Sequence, residues 1–165
     1  MNLRRIYLDC DGVLADFDAA FIAKFGQHPR DYEESNGIEA FWRDLRNHAP
    51  NFYSELPLMA DARELFDAVK HLRPLILTGC PRGGWAEMQK LSWAARYFPG
   101  TPTIVCYSKN KRDYMLPGDV LVDDRPQYQN LWVEAGGIFV LHRSASESIA
   151  HLRELSLLPA SEHLC

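Results

Sequence analysis

Five short apolar runs, each bounded by polar or turn-forming residues, set the strongest constraint on how this chain can fold. They are Ile6 to Cys10, Pro74 to Thr78, Thr103 to Tyr107, Val120 to Val122 and Ile138 to Leu141. Each is continuous instead of alternating, which is how a strand reads when helices cover both faces of its sheet. Helical patterns separate them. Asp61 with Glu64 three residues on forms a capping-box signal, and Leu65, Val69 and Leu72 follow at helical spacing. Ser144 with Glu147 repeats the signal ahead of Ile149, Leu152 and Leu155, while Gly84 to Phe98 and Pro126 to Ala135 read as two further helices. Strand and helix in alternation predict an α/β fold built on a doubly wound, Rossmann-like parallel sheet. Such sheets bind ligands beyond the carboxyl ends of their strands, so chemistry is to be sought there.

One interval breaks the alternation. The 46 residues from Ala15 to Ala60 read as helices and hold 8 of the chain's 19 aromatic residues. The expected organisation is an α/β core over 1–14 and 61–165, with a small helical cap over 15–60 inserted after the first strand. Most of those aromatics are expected to build the cap's own core, with one or two turned toward a ligand. A chain of 165 residues has room for one domain carrying such an insertion. Lys and Arg total 18 against 22 Asp and Glu, a net charge of −4, so no bulk attraction to nucleic-acid polymers or anionic membranes is expected. No apolar run approaches the ~18 residues of a membrane-spanning helix. The first residues lack the apolar stretch of a secretory leader, and the four cysteines show neither a C-x-x-C pair nor zinc spacing. A cytoplasmic protein with reduced thiols is the expectation.

The chemistry concentrates at the predicted strand ends. Asp9-Cys10-Asp11-Gly12 follows the first strand directly. Two carboxylates one residue apart, with Gly at the turn, concentrate negative charge that is hard to hold without a cation, and hard oxygen ligands suit Mg²⁺ completed by a substrate phosphate. Thr78-Gly79 ends the second strand with a hydroxyl and a flexible backbone suited to an anion. Asp123-Asp124 ends the fourth with a second carboxylate pair, and Lys109 and Lys111 lie beyond the third. Each feature has a plain structural alternative, such as a helix cap, an Asp-Gly turn or a solvated loop. Their joint placement at the same edge of one sheet is what points to a site.

The series Asp-x-Asp-Gly-Val, then Thr, then Lys, then Asp-Asp resembles the four motifs of the haloacid dehalogenase-like phosphohydrolases over nearly the whole chain. Within that superfamily the chain is most similar to the 5′(3′)-deoxyribonucleotidases. That similarity rests on Asp11 through Phe17, Phe41-Trp42, Phe52 through Leu56, Lys90 through Trp93 to Tyr97-Phe98, and Val122 through Pro126. It implies a Mg²⁺-dependent phosphatase acting on a small phosphate ester, with a nucleotide as the expected substrate. Asp9 is then the nucleophile and Asp11 the acid and base. Asp9, Asp11 (through its backbone carbonyl), Asp124 and Asp123 serve the metal, with the last two exchangeable. Thr78, Gly79 and Lys111 bind phosphate, with Lys109 the fallback for Lys111 and Lys90 a further contact whose plain alternative is an exposed helix lysine. Phe17 and Trp42 match positions facing the base or sugar. The chain departs from the subfamily at Gly79-Cys80-Pro81, where a Ser-Pro is usual, so a hydroxyl contact to phosphate is missing. The alternatives are a phosphatase or phosphomutase for another small ester, and a phosphoacceptor receiver module, whose acidic residues come from different strands and which has no insertion of this length.

Overall fold

The computed structural model describes residues 4–160. Its frame is a five-stranded, all-parallel sheet: β1 (Ile6–Leu8), β2 (Leu75–Gly79), β3 (Thr103–Cys106), β4 (Val120–Asp123) and β5 (Ile138–Leu141), in spatial order β3-β2-β1-β4-β5. All five expected strands are present, with ends shifted by a residue or two. The order puts β1 at the centre, between β2 and β4 (Tyr7 opposite Leu75 on one side and Leu121 on the other). This is the Rossmann order, distinct from the 2-1-3-4-5 order of flavodoxin-like receivers.

Side chains alternate across the sheet with period two. Ile6, Leu8, Ile76, Val120, Val122 and Val140 enter one large apolar cluster. Tyr7, Leu77, Leu121 and Phe139 enter a smaller one on the opposite face. The two faces are covered unequally. The large cluster includes residues of α4 (Ala62–Val69), α5 (Glu87–Tyr97) and α7 (Ala145–Glu154), whereas the small one takes Trp132 from the short helix α6 (Gln129–Glu134). The helix expected over 126–135 is shortened because Pro126–Tyr128 forms a 3₁₀ turn before it. Ser144 caps α7 as its sequence predicts, accepting a hydrogen bond from the Glu147 N–H at 3.2 Å. Asp61 makes no cap on α4. Its carboxylate instead accepts from the Ala145 N–H at 2.7 Å, which ties the start of α7 to the start of α4.

Between β1 and α4 the chain forms α1 (Phe17–Phe25), α2 (Pro29–Asn36) and α3 (Ile38–His48), then a 3₁₀ turn over Phe52–Glu55. Asp16 caps α1 through the Ala19 N–H, and Gly26 ends it in the left-handed region at φ 74°. Phe21 stacks on Phe41 at 4.9 Å and on Phe25 at 4.5 Å. These rings do not form a separate core: Phe17, Phe21, Phe41, Phe52 and Tyr53 belong to the same cluster as Ile6 and Leu8, because the insertion packs directly on that face of the sheet. Its two ends are fastened together, Met59 N–H donating to the Leu14 carbonyl and Asp16 N–H to the Pro57 carbonyl, both at 2.8 Å. No helix among the described residues is long and apolar enough to cross a membrane.

Candidate active site

The carboxyl edge of the sheet gathers the predicted residues. Asp9 follows β1 and stays in register with β4, its N–H donating to the Val122 carbonyl at 2.9 Å. The chain then turns tightly, with the Leu14 and Ala15 amides both donating to the Cys10 carbonyl. Gly12 sits at φ +81°, and a Cβ there would collide with the Asp124 carboxylate. Gly is therefore required twice over, once by the left-handed backbone and once by the approach of β4's second acid.

Two buried lysines organise the acids. Lys111, from a 3₁₀ segment over Ser108–Tyr114, reaches Asp9 Oδ1 at 2.9 Å and Asp123 Oδ2 at 2.8 Å. Lys109 is exposed, whereas Lys111 is buried against two of the acids. Lys90 is only 2% exposed, which removes the solvated-helix alternative. It donates to Asp11 Oδ2 at 2.5 Å and to Thr78 Oγ1 at 3.1 Å, with its Nζ 4.4 Å from the centre of the Tyr53 ring. Breaking a buried ion pair by deleting one partner costs about 3–5 kcal/mol. Because Asp11 keeps some solvent contact, we expect Lys90→Met to lower stability by about 3 kcal/mol. Urea unfolding would read this as a lower midpoint at unchanged slope, and a loss below about 1 kcal/mol would show the pair to be dispensable.

Four carboxylates against two buried ammonium groups leave an excess of negative charge. Asp9, Asp123 and Asp124 each present an oxygen within 4.8 Å of the others, a spacing at which one ion can be shared. Burial, then the Asp9 charge, pushes Asp124 up to about 8 and Asp123 up to about 6. Asp123 has both oxygens engaged, one by Lys111 and one by the Arg125 N–H at 2.9 Å. Asp124 Oδ1 is buried with no hydrogen-bond partner. Hard oxygen donors, uncompensated charge and an orphaned carboxylate oxygen together fit a divalent cation of the Mg²⁺ type. The Asp11 side chain is not in the trio. Lys90 holds its Oδ2. Burial raises the Asp11 pKa, Lys90 opposing the shift, and its Oδ1 is a second orphaned atom.

The missing hydroxyl after Thr78 has a counterpart that the motif hides. A Cβ on Gly79 would collide with Ser108 Oγ, so the end of β3 delivers a hydroxyl to the space that a side chain at 79 would fill. Tyr53, which in the sequence is one of the insertion's aromatics with no role of its own, covers Lys90, and His142, which belongs to no motif, follows β5. Asp11, Gly12, Phe17, Asp124, Arg125 and His142 line a cleft of about 210 Å³. Trp42 is half-buried, edge-on to Phe41 at 4.9 Å, and lies outside the cleft's lining. A wider groove of about 590 Å³ beside α1 contains none of the four acids.

Residues 3–153 match the family model described as 5′ nucleotidase, deoxy (pyrimidine), cytosolic type C protein. The chain belongs to this family. Among its relatives is an Acanthamoeba polyphaga mimivirus protein named as a 5′(3′)-deoxyribonucleotidase, 27% identical over 143 residues. The match covers 74% of this chain and 64% of the viral protein, so this chain spans under two thirds of that relative's length. Two solved structures share the fold. A hydrolase from Streptococcus pneumoniae TIGR4 has a TM-score of 0.53 at 19% identity, over 94% of this chain and 99% of that one. A haloacid dehalogenase-like hydrolase from Burkholderia xenovorans LB400 has a TM-score of 0.51 at 16% identity, over 96% and 91%.

Proposed function

We propose that this protein is a Mg²⁺-dependent phosphomonoesterase that dephosphorylates nucleoside monophosphates, deoxynucleotides included, by way of a phosphoryl group carried on Asp9. One observation carries the reading: three carboxylates spaced to share an ion stand beside two buried lysines and Thr78, with Asp124 opening onto the cleft that Asp11 also lines. The family membership supports the same reading. Asp9, Asp124 and the Asp11 backbone carbonyl would hold the ion, with Asp123 fixing Lys111. When bound, the ion offsets the negative charge shared by these acids and the substrate phosphate.

The steps belong to the chain's own residues. Asp9 attacks phosphorus, and its new bond forms as the bond from phosphorus to the ester oxygen breaks. Asp11 hands a proton to the departing oxygen, so an alcohol leaves. Its raised pKa and free Oδ1 suit it to that task, while Lys90 fixes the other oxygen. Water then attacks the phosphorylated Asp9, gives its proton back to Asp11 and releases inorganic phosphate. Lys111, Thr78 and the Gly79 amide face the equatorial oxygens as charge shifts, with Ser108 and Lys90 as further contacts. Phe17, on the cleft wall, offers a face to the base or sugar; such stacking is worth about 1–3 kcal/mol per base and tolerates different bases. Trp42 supports it through Phe41, whose ring lies 6.4 Å from that of Phe17. The family description, which includes the word cytosolic, supports a cytoplasmic location.

Phosphate release from 5′- and 3′-deoxynucleotides, ribonucleotides, sugar phosphates and an aryl phosphate, with Mg²⁺ or with EDTA, tests the assignment. We expect Mg²⁺-dependent release, with nucleotides favoured over sugar phosphates by at least about tenfold in kcat/KM, as about 1.4 kcal/mol of base contact requires. A preference for sugar phosphates would move the assignment to another ester. Isomerised product without free phosphate would make the protein a mutase.

A further inference from the structure

Among the described residues, three buried side-chain polar atoms have no hydrogen-bond partner: Asp11 Oδ1, Asp124 Oδ1 and His142 Nε2. All three residues line the same cleft. The two aspartates are accounted for by the proposed chemistry. His142 is not. It is 2% exposed, its N–H donates to the Asp123 carbonyl at 2.8 Å, and its Nδ1 lies 2.7 Å from the hydroxyl of Ser148, a residue with no exposure at all. An imidazole held by its backbone and by one ring nitrogen, with the other nitrogen buried and unmatched, is costly unless something polar completes it.

We propose that His142 is a positioning residue for the metal, its Nε2 accepting a hydrogen bond from a water in the hydration shell of the ion held by Asp9 and Asp124. The inference rests on the metal-dependent reading above. His142 is outside the trio of side chains that can share an ion directly, yet it lines the same cleft as Asp124 and its backbone is bonded to Asp123. Mg²⁺ keeps several waters when bound by only one or two carboxylates, and those waters need acceptors. A cation polarises its waters into donors, so Nε2 must accept and Nδ1–H must donate to Ser148 Oγ. The Ser148 contact thus fixes the tautomer that the water requires, the usual logic by which outer residues orient a metal site.

Titration of the purified protein with Mn²⁺ alone, followed by calorimetry and by the electron paramagnetic resonance of free ion, separates the possibilities. H142A is expected to weaken Mn²⁺ binding about 10-fold to 100-fold, the range for loss of an outer-layer partner. H142N is the control for folding, since its amide can keep the Ser148 contact while removing the Nε2 position; it should bind as weakly as H142A with a metal-free melting temperature like the parent's. H142Q, whose amide reaches toward the Nε2 position, should recover part of the affinity. Binding by H142N and H142A within twofold of the parent would overturn the role of His142 and leave the metal-dependent reading intact. Failure of the parent itself to bind Mn²⁺ would overturn both.

Discussion

Asp9→Asn is expected to lower kcat by about 10⁴-fold or more while leaving a folded protein that still binds nucleotide, because it removes the group on which the phosphoryl is to be carried. The site explains why the fold should survive. Lys111 loses one carboxylate but keeps Asp123 at 2.8 Å, so its buried charge is not orphaned. The amide nearly matches the carboxylate in shape, so no cavity opens in the packed end of β1. One of the charges that raise Asp123 and Asp124 also disappears, and the metal-free variant should be at least as stable as the parent above neutral pH. The checks are single-turnover phosphate release and thermal unfolding in EDTA. Residual turnover above about 1% of the parent would exclude covalent chemistry at Asp9, since effects of that size belong to residues that only assist. A collapsed melting temperature would show that Asp9 is needed structurally, contrary to the Lys111–Asp123 argument.

The sheet was legible because its signal is local: a parallel strand covered on both sides must be apolar throughout, and Ile6–Leu8 and Val120–Val122 are. Chemistry at the strand ends was legible for the same reason, since Asp9, Thr78 and Asp123 each sit one step from an apolar run. What stayed hidden depends on helix orientation and on chain segments meeting from far apart. Lys90 could be named as a further phosphate contact through the resemblance, but its pairing with Asp11 shows only once α5 is packed so that its fourth residue reaches back 79 positions. The Ser108 hydroxyl beside Gly79 and the imidazole of His142 depend on which strands are neighbours, and no spacing rule encodes that. Asp61 shows the converse error: a capping pattern was present, but the N-terminus of α7 competes for the same carboxylate and takes it. The separate core expected for the insertion failed for a related reason. Aromatic content reports how much surface must be covered, without reporting which element covers it.

Metal-free protein should become less stable as pH rises from about 4 to about 8, and Mg²⁺ should stabilise it most at the alkaline end. The sign follows from Asp124 and Asp123. Their pKa values are raised in the folded state, to about 8 and about 6, from an ordinary value of 3.8. Between those limits the folded chain binds more protons than the unfolded chain, so unfolding releases protons and stability declines with rising pH. The contribution is complete below about pH 4 and gone once pH passes the folded value of Asp124. The ion needs the deprotonated carboxylates that protons otherwise neutralise, so it competes with protons and replaces them. At an ion concentration 100 times its dissociation constant the added stability is about 2.7 kcal/mol. For a chain of this size that corresponds to about 5–10 °C in melting temperature at about pH 8.5, shrinking toward zero near pH 5. Melting curves in EDTA and in excess MgCl₂ across that range are the measurement. The Asp9→Asn variant supplies an internal control, because removing one repelling charge should flatten the EDTA slope without changing its direction. A melting temperature in EDTA that holds steady or rises over this range would mean that the three acids are neutralised by something other than a bound cation, and the charge argument for the site would fail with it.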